Sequence, residues 1–411
     1  MGYPLAKLAK VGKVELAIET IFASVGTSVS YSYLQCEPLD RSSLTWEPIE
    51  DMHQRTKLTS VPRIPGAKTG TLTLRTPLMG WSSTLPVGNP GDDGHPYGQL
   101  FAWAFGLGQS FGFTTDDLTG STATTLKAAD LSAIPVGQAV AYVTTSLGYQ
   151  VVWAKSKDTG LSPDEVVLLQ TAAAAARQQS DTIYGSFTCA MTDGLSQYSV
   201  GVREGFRLRF SGASSDDQMV AYGCVPSGLK LTFERGKLPM LELTLSVAHW
   251  QEIGSGGAPT AGTWNYPQPE ALMSSWVSWG TTQATKLAVG KAEFDLKLEL
   301  SPIEDVNAPS GIGGWFVKSR RPTCTFSVVR AYNSEVVDWA AQNGKPFTFT
   351  FGTQPGKMFS LNIPNARIVE FPAPEDQDGK MMSKIVLEAQ KYSGDIGTDD
   401  TANTDCRFAF L

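Results

Sequence analysis

Apolar and polar side chains alternate with a period of two along several stretches of this chain, and the stretch from Gly228 to Trp250 organises the rest. Leu229, Leu231 and Phe233 alternate with Lys230, Thr232 and Glu234. After Arg235-Gly236-Lys237 and Pro239, Leu241, Leu243, Leu245 and Val247 alternate with Glu242, Thr244 and Ser246. Successive side chains of a strand point to opposite faces, so this pattern predicts a long antiparallel hairpin, oily on one side and polar on the other.

The same period returns elsewhere. Val14, Leu16 and Ile18 predict one strand, and Leu72 and Leu74 within TGTLTLRTPL another. SFTCAMTD and FRLRF (206–210) precede the hairpin. KAEFDLKLELSPI, with Phe294, Leu296, Leu298 and Leu300 against Glu293, Asp295, Lys297 and Glu299, predicts the cleanest strand of all. RPTCTFSVVR, FTFTF (Phe347, Phe349 and Phe351 on one side) and a closing pair, RIVEF and SKIVLEAQKY around an acidic turn at 375–379, complete the set.

Helix signals are few. Ser334 to Asn343, SEVVDWAAQN, predicts a helix capped by Ser334 and closed by Gly344. Ser162-Pro163-Asp164-Glu165 has the hydroxyl, proline and glutamate that open a helix running into Ala172–Ala176, although Val166 to Leu169 also suit a buried strand. Residues 36–60 hold little core material and read as a long loop or extended arm. IGSGGAPTAG (253–262) has the composition of a flexible connector.

These patterns predict a mainly β protein: tandem β-sandwich domains with a flanking helix, plus an inserted small domain. The expected divisions are 1–105 (first domain, N-terminal part, with the 36–60 arm), 106–183 (insertion) and 184–252 (first domain, C-terminal part). After them come 253–264 (linker), 265–395 (second domain) and 396–411 (C-terminal tail). The halves match in outline, which predicts a structural duplication.

At 411 residues, with 42% hydrophobic and 18% charged residues, the chain is long enough for more than one core. Its 33 basic and 40 acidic residues leave a net charge of −7, which weighs against gripping nucleic acid through a basic patch. No signal-peptide core opens the sequence and no run of 18 apolar residues interrupts it. A soluble protein without a membrane partner is therefore expected. The five scattered cysteines read as free thiols.

Candidate chemistry is sparse. His53, His95 and His249 are too few and too far apart for a local zinc motif, and Asp92–His95 and Asp376–Gly379 lack the distal glutamate of a calcium loop. Gly106–Gly112 misplaces the third glycine of a dinucleotide loop. Nothing selects a Ser or Cys nucleophile, so neither a catalytic residue nor a cofactor is expected. The ten tryptophans could serve sugar stacking but fit burial in a β core better, with Trp276 and Trp279 the expected exceptions.

The segment from Tyr184 to Trp250 resembles phage tail tube proteins, through the strand after Tyr184, the Gly223-Cys224 step and the paired strands ending at His249-Trp250. Pro322 to Tyr392 resembles a tube domain again. The resemblance there lies in Val336-Val337-Asp338-Trp339, the Phe-Thr alternation, Ile363-Pro364-Asn365-Ala366 and Leu387-Glu388-Ala389. Together these cover about half the chain.

The resemblance implies a β-sandwich whose sheets join edge to edge around a channel, with rings stacked through an arm. Two such domains per chain would let three chains make a pseudo-sixfold ring. It further implies a virion location, assembly in the host cytoplasm, and as partners other copies, other tail proteins and DNA passing through non-specifically. Glu234, Glu242, Glu293, Asp295 and Glu299 become lumen-facing candidates, diluted by Lys230, Arg75 and Lys297. Asp40, Arg41, Trp46, Glu50 and Asp51 become arm candidates for the next ring. Two alternatives stand beside this: another tail or baseplate ring protein, and a carbohydrate-binding β-sandwich.

Overall fold

The structure, a computed structural model, describes residues 13–19, 22–23, 32–34, 36–50, 63–78, 80, 108–110, 114–115, 121–128, 131–144, 148–161, 164–172, 182–190, 199–206, 216–256, 272, 275–283, 287, 289–308, 310–329, 334–354, 356–377, 379–399 and 401–411. Among these the protein is mainly β, with one helix, Ser334–Ala341.

The expected hairpin forms and is longer than its alternation announced. Strand Asp216–Glu234 turns at Gly236 and returns as Met240–Val247, which continues past Ala248 into His249–Gly256. Gly236 sits at φ 77°, a left-handed value that costs glycine little. At about 3.3 Å per residue each arm spans on the order of 60 Å. That is long enough to serve two sheets in turn.

The lower half of the hairpin lies in a six-stranded antiparallel sheet ordered Arg63–Pro77, Met240–Val247, Asp216–Glu234, Val289–Asp295, Thr323–Val329 and Lys380–Ala389. A second sheet faces it, ordered Ser275–Trp279, Lys345–Phe351, Phe359–Ile368, Arg407–Phe410, Phe187–Ala190 and Gly108–Ser110. The two join where Lys380–Ala389 pairs with the end of Phe359–Ile368.

Their dry faces interlock through aromatic rings. Phe233 lies 4.2 Å from Phe349 and 6.0 Å from Phe359, while Phe294 meets Phe408 at 5.4 Å. One apolar core therefore runs through residues of both halves of the chain. The supposed 253–264 linker begins inside strand His249–Gly256, and 257–264 lie outside the described residues.

The upper half of the hairpin belongs to a different sheet, with Ser32–Leu34, Lys13–Ile18 and Val200–Phe206 on one side and His249–Gly256 on the other. The strand changes sheets near Gly223, at φ 62°, where an added Cβ would meet Ala248 Cβ at 2.7 Å. A bulge between Pro226 and Gly228 completes the bend.

Within 106–183, a six-stranded sheet is ordered Thr114–Thr115, Thr182–Tyr184, Ala139–Thr144, Gly148–Asp158, Asp164–Leu168 and Thr125–Ala128. It has a core of its own, including Leu126, Val140, Tyr142, Val152 and Val166. The helix expected from Ser162 is instead a strand at Asp164–Leu168. Val166 and Leu168 both face that core, and burial at alternate positions favours β-branched side chains in a sheet. Ser162, Pro163 and Ala173–Ala176 lie outside the described residues.

Four further expectations are corrected. KAEFDLKLELSPI is not one strand: it breaks at Leu296-Lys297, where Lys297 takes φ 48°, and Leu298–Glu304 starts a separate hairpin with Ile312–Arg320. The helix ends at Ala341 with Gln342 in the left-handed region, before Gly344. Residues 36–50 are not a free loop. Thr45–Glu50 pairs with Arg63–Thr69 and Asp40 bridges Thr73, covering the sheet's outer edge. The C-terminal residues end in the buried strand Arg407–Phe410.

Candidate functional site

The two sheets of the sandwich have very different outer faces, and the difference begins in the residue types. On the sheet holding the hairpin, the outward positions carry charged side chains among threonines such as Thr73, Thr232 and Thr244. Register aligns Arg75, Glu242, Lys230 and Asp295 in one row across four neighbouring strands, so charge alternates in sign from strand to strand. The row runs on through Thr323, Glu388 and Arg367. Opposite charges placed across strands support the pairing, whereas like charges would oppose it.

The side chains use this arrangement. Arg75 Nε donates to Glu242 Oε2 at 2.8 Å, Lys230 Nζ lies 2.8 Å from Glu293 Oε1, and Lys237 Nζ lies 2.8 Å from Glu234 Oε1. Hydrogen bonding from Lys237 holds the Glu234 carboxyl below its ordinary range, and hydrogen bonding to Glu293 raises Lys230 above its own. Four of the five lumen-facing candidates, Glu234, Glu242, Glu293 and Asp295, thus share one face. It is a face of mixed charge, with Arg75 and Lys230 standing among the carboxylates.

Glu299 does not belong to it. It sits on the separate hairpin Leu298–Glu304, where its Oε2 accepts from Ser319 Oγ at 2.9 Å. Among the arm candidates, Asp40 is exposed and its Oδ1 accepts from Ser42 N, while Arg41 Nε approaches buried Glu204 Oε2 at 3.4 Å. Trp46 is exposed on the edge strand, and Glu50 ends that strand. Asp51 lies outside the described residues.

The outer face of the opposing sheet carries hydroxyls and amides instead, and it is sealed. Ser278, Thr348, Asn362 and Arg407 form one row, all buried. The inserted sheet lies over them: Gln170 Oε1 accepts from Thr348 Oγ1 at 2.6 Å, and Gln170 Nε2 donates to Gly280 O at 2.7 Å. Gln283 Nε2 reaches back to Val151 O at 3.1 Å. Apolar contacts add to this, with Trp153 and Val151 packing against Met358, Ala409 and Leu411.

The C-terminal segment closes the rest. Arg407, fully buried, pairs with Asp395, and its Nε donates to Thr404 Oγ1 at 3.0 Å. Asp395 also accepts from Tyr392 OH at 3.1 Å and Asn403 N at 3.0 Å. Sequence reading missed this layer. The signal was the absence of charge: FTFTF alternates with threonine alone, which one hydrogen bond satisfies, whereas lysine, arginine and glutamate stand among the threonines of the open face.

Other chemistry has little support at the described positions. None of the five cysteines forms a disulfide. Burial raises the thiols of Cys189, Cys224 and Cys406 well above their ordinary value and Cys36 to about 12, which leaves them poor nucleophiles. His249 stacks on Tyr222, and burial lowers its pKa; His53 and His95 lie outside the described residues. Among the described residues no group of His, Cys, Asp and Glu could hold a metal ion, and no helix is long and apolar enough to cross a membrane. Trp276 and Trp279 are half-buried, Trp276 donating to Gln283 O at 2.8 Å. Compared with protein-family models and with curated protein sequences, the chain matches none.

Proposed function

We propose that this chain is a self-assembling structural subunit, the major subunit of a phage-type tail tube, whose rings stack into a conduit for DNA. The observation that carries the reading is the asymmetry of the sandwich. One sheet keeps a charged, solvent-facing wall, while the opposite wall is buried under the inserted sheet. A subunit lining a channel needs one wet wall and one covered back.

On this reading Glu234, Glu242, Glu293 and Asp295 line the lumen with Arg75 and Lys230 between them. Mixed charge gives passing phosphates no continuous basic track to bind, so DNA slides without being held. The inserted sheet faces outward. The partners are other copies of the chain, other tail proteins, and DNA without sequence preference.

The test is light scattering combined with negative-stain electron microscopy of the purified protein. Hollow rings or tubes with a repeating mass near three times 44.2 kDa support the reading. Six chains per ring keep the tube but give each chain one tube unit. Single rings that never stack favour a baseplate-type ring protein. A compact monomer at all concentrations refutes assembly.

A further inference from the structure

The hairpin Leu298–Glu304 with Ile312–Arg320 belongs to neither sheet of the sandwich. It leaves the charged sheet at Leu296, whose N–H donates to Leu229 O, and climbs beside the bend in the central strand. Trp315 Nε1 donates to Gly223 O at 3.1 Å, and Ile312 packs on the cluster of Val220, Tyr222 and Ala248. One face of the hairpin is thereby clamped.

The other face is bare. Phe316 lies opposite Ser301 and Ile303 opposite Gly314, which puts both large side chains on the side away from Trp315. They are 60% and 52% exposed, and Val306 at the tip is 98% exposed. Glu304 and Asp305 flank that tip. Two strands alone rarely hold a shape in water, and unpaired edges beside exposed apolar side chains invite a partner.

A surface of matching character lies at the opposite end of the long hairpin. There the turn exposes Leu238 together with Arg235 and Lys237, and Lys291 stands on the neighbouring strand opposite Glu234. That end shows Leu238 beside three cations and one carboxylate, Glu234, which pairs with Lys237; the arm tip is apolar with carboxylates. Gly223 and the turn are separated by on the order of 40 Å along the strand, so one chain cannot bring its own two ends together.

We infer that the 298–320 hairpin docks on the 235–238 turn of a second copy of this chain, head to tail. Charge complementarity names the occupant: Glu304 and Asp305 of one copy face Arg235 and Lys237 of the next. Because the two surfaces differ, the contact is heterologous, and because they lie at opposite ends of the long hairpin it repeats along that axis and not around a ring. It would build a column along the hairpin axis. The inference rests on the proposal that copies of this chain associate, and it moves the axial contact from residues 36–60, of which 36–50 cover a sheet edge, to this hairpin.

The test uses two variants of the full chain at exposed positions. Glu304→Lys/Val306→Lys alters the arm and spares Asp305, whose Oδ1 accepts from Asn307 N. Arg235→Glu/Lys237→Glu alters the turn. Association is read as the concentration dependence of mass by light scattering, with circular dichroism checking that each variant folds. Phe316→Asp serves as a second arm variant.

Each variant alone should associate at least about tenfold more weakly than the parent, and an equimolar mixture of the arm and turn variants should regain pairwise association. If the parent assembles and all variants assemble equally well, the docking is wrong while self-assembly stands. Weakened variants whose mixture regains nothing also overturn it. A parent that forms linear chains without hollow rings, with variants behaving as expected, keeps the docking and sinks the tube. A parent monomeric at every concentration refutes both.

Discussion

Breaking the buried pair between Asp395 and Arg407 should be among the most damaging single changes outside the aromatic core. Both side chains are 0% exposed. Burial lowers the Arg407 pKa, and the nearby Asp395 carboxylate is the main effect raising it back. In Asp395→Ala the guanidinium keeps only its bond to Thr404 and loses its counter-charge without gaining water. An uncompensated buried charge costs about 3 to 5 kcal/mol. Replacing both partners at once, in Asp395→Leu/Arg407→Met, removes the charges together and should cost far less than the sum of the two single changes. The assay is urea unfolding followed by circular dichroism below the concentration at which copies associate, comparing midpoints and slopes. A loss under about 1 kcal/mol for Asp395→Ala is the value of a pair in water, and would refute the burial of this segment.

Three further outcomes follow from the packing. Phe233→Ala removes a ring held by Phe349, Phe351 and Phe359 and should cost about 3 to 5 kcal/mol. Hydrogen exchange should then rise in both halves of the chain, and a rise confined to one half would refute the shared core. Gln170→Ala leaves Thr348 Oγ1 and Gly280 O without that partner and should cost about 1 to 3 kcal/mol, seen as faster proteolysis within 106–183. Burial raises the Glu204 pKa above its ordinary 4.5, outweighing the opposing pull of Arg41. The folded state therefore holds that proton more tightly than the unfolded chain, so this group's contribution to stability falls as pH rises above 4.5 through its raised value. Glu204→Gln should flatten the pH dependence of the melting temperature in that window, and an unchanged slope would refute the assignment.

The features read correctly from sequence are those where one face meets water and the other meets apolar side chains. Leu229 to Val247 showed its hairpin because lysine and glutamate mark the wet positions and leucine the dry ones. The break at Lys297 left no mark, since Leu298–Glu304 is itself two-faced and continues the alternation in a new sheet. Residues 36–50 looked coreless because, among the side chains described at 36–46, Leu39 is the one that is buried. Arg407–Phe410 carried no period at all: with both faces covered, every position is buried, and an arginine at its head resembles the start of a polar tail.

The kind of polar residue on an alternating strand thus carries more information than the alternation itself. A threonine or asparagine facing outward is satisfied by one or two hydrogen bonds, so a second layer can cover it, as Gln170 does for Thr348. Lysine and glutamate resist that cover, because each buried charge requires its own partner. Arg407 is the exception that obeys the rule, since the C-terminal segment delivers Asp395 to it. By this criterion the face bearing Arg75, Glu242, Lys230 and Asp295 is built to remain in water in any assembly, whereas the exposed Ile303, Val306 and Phe316 are not.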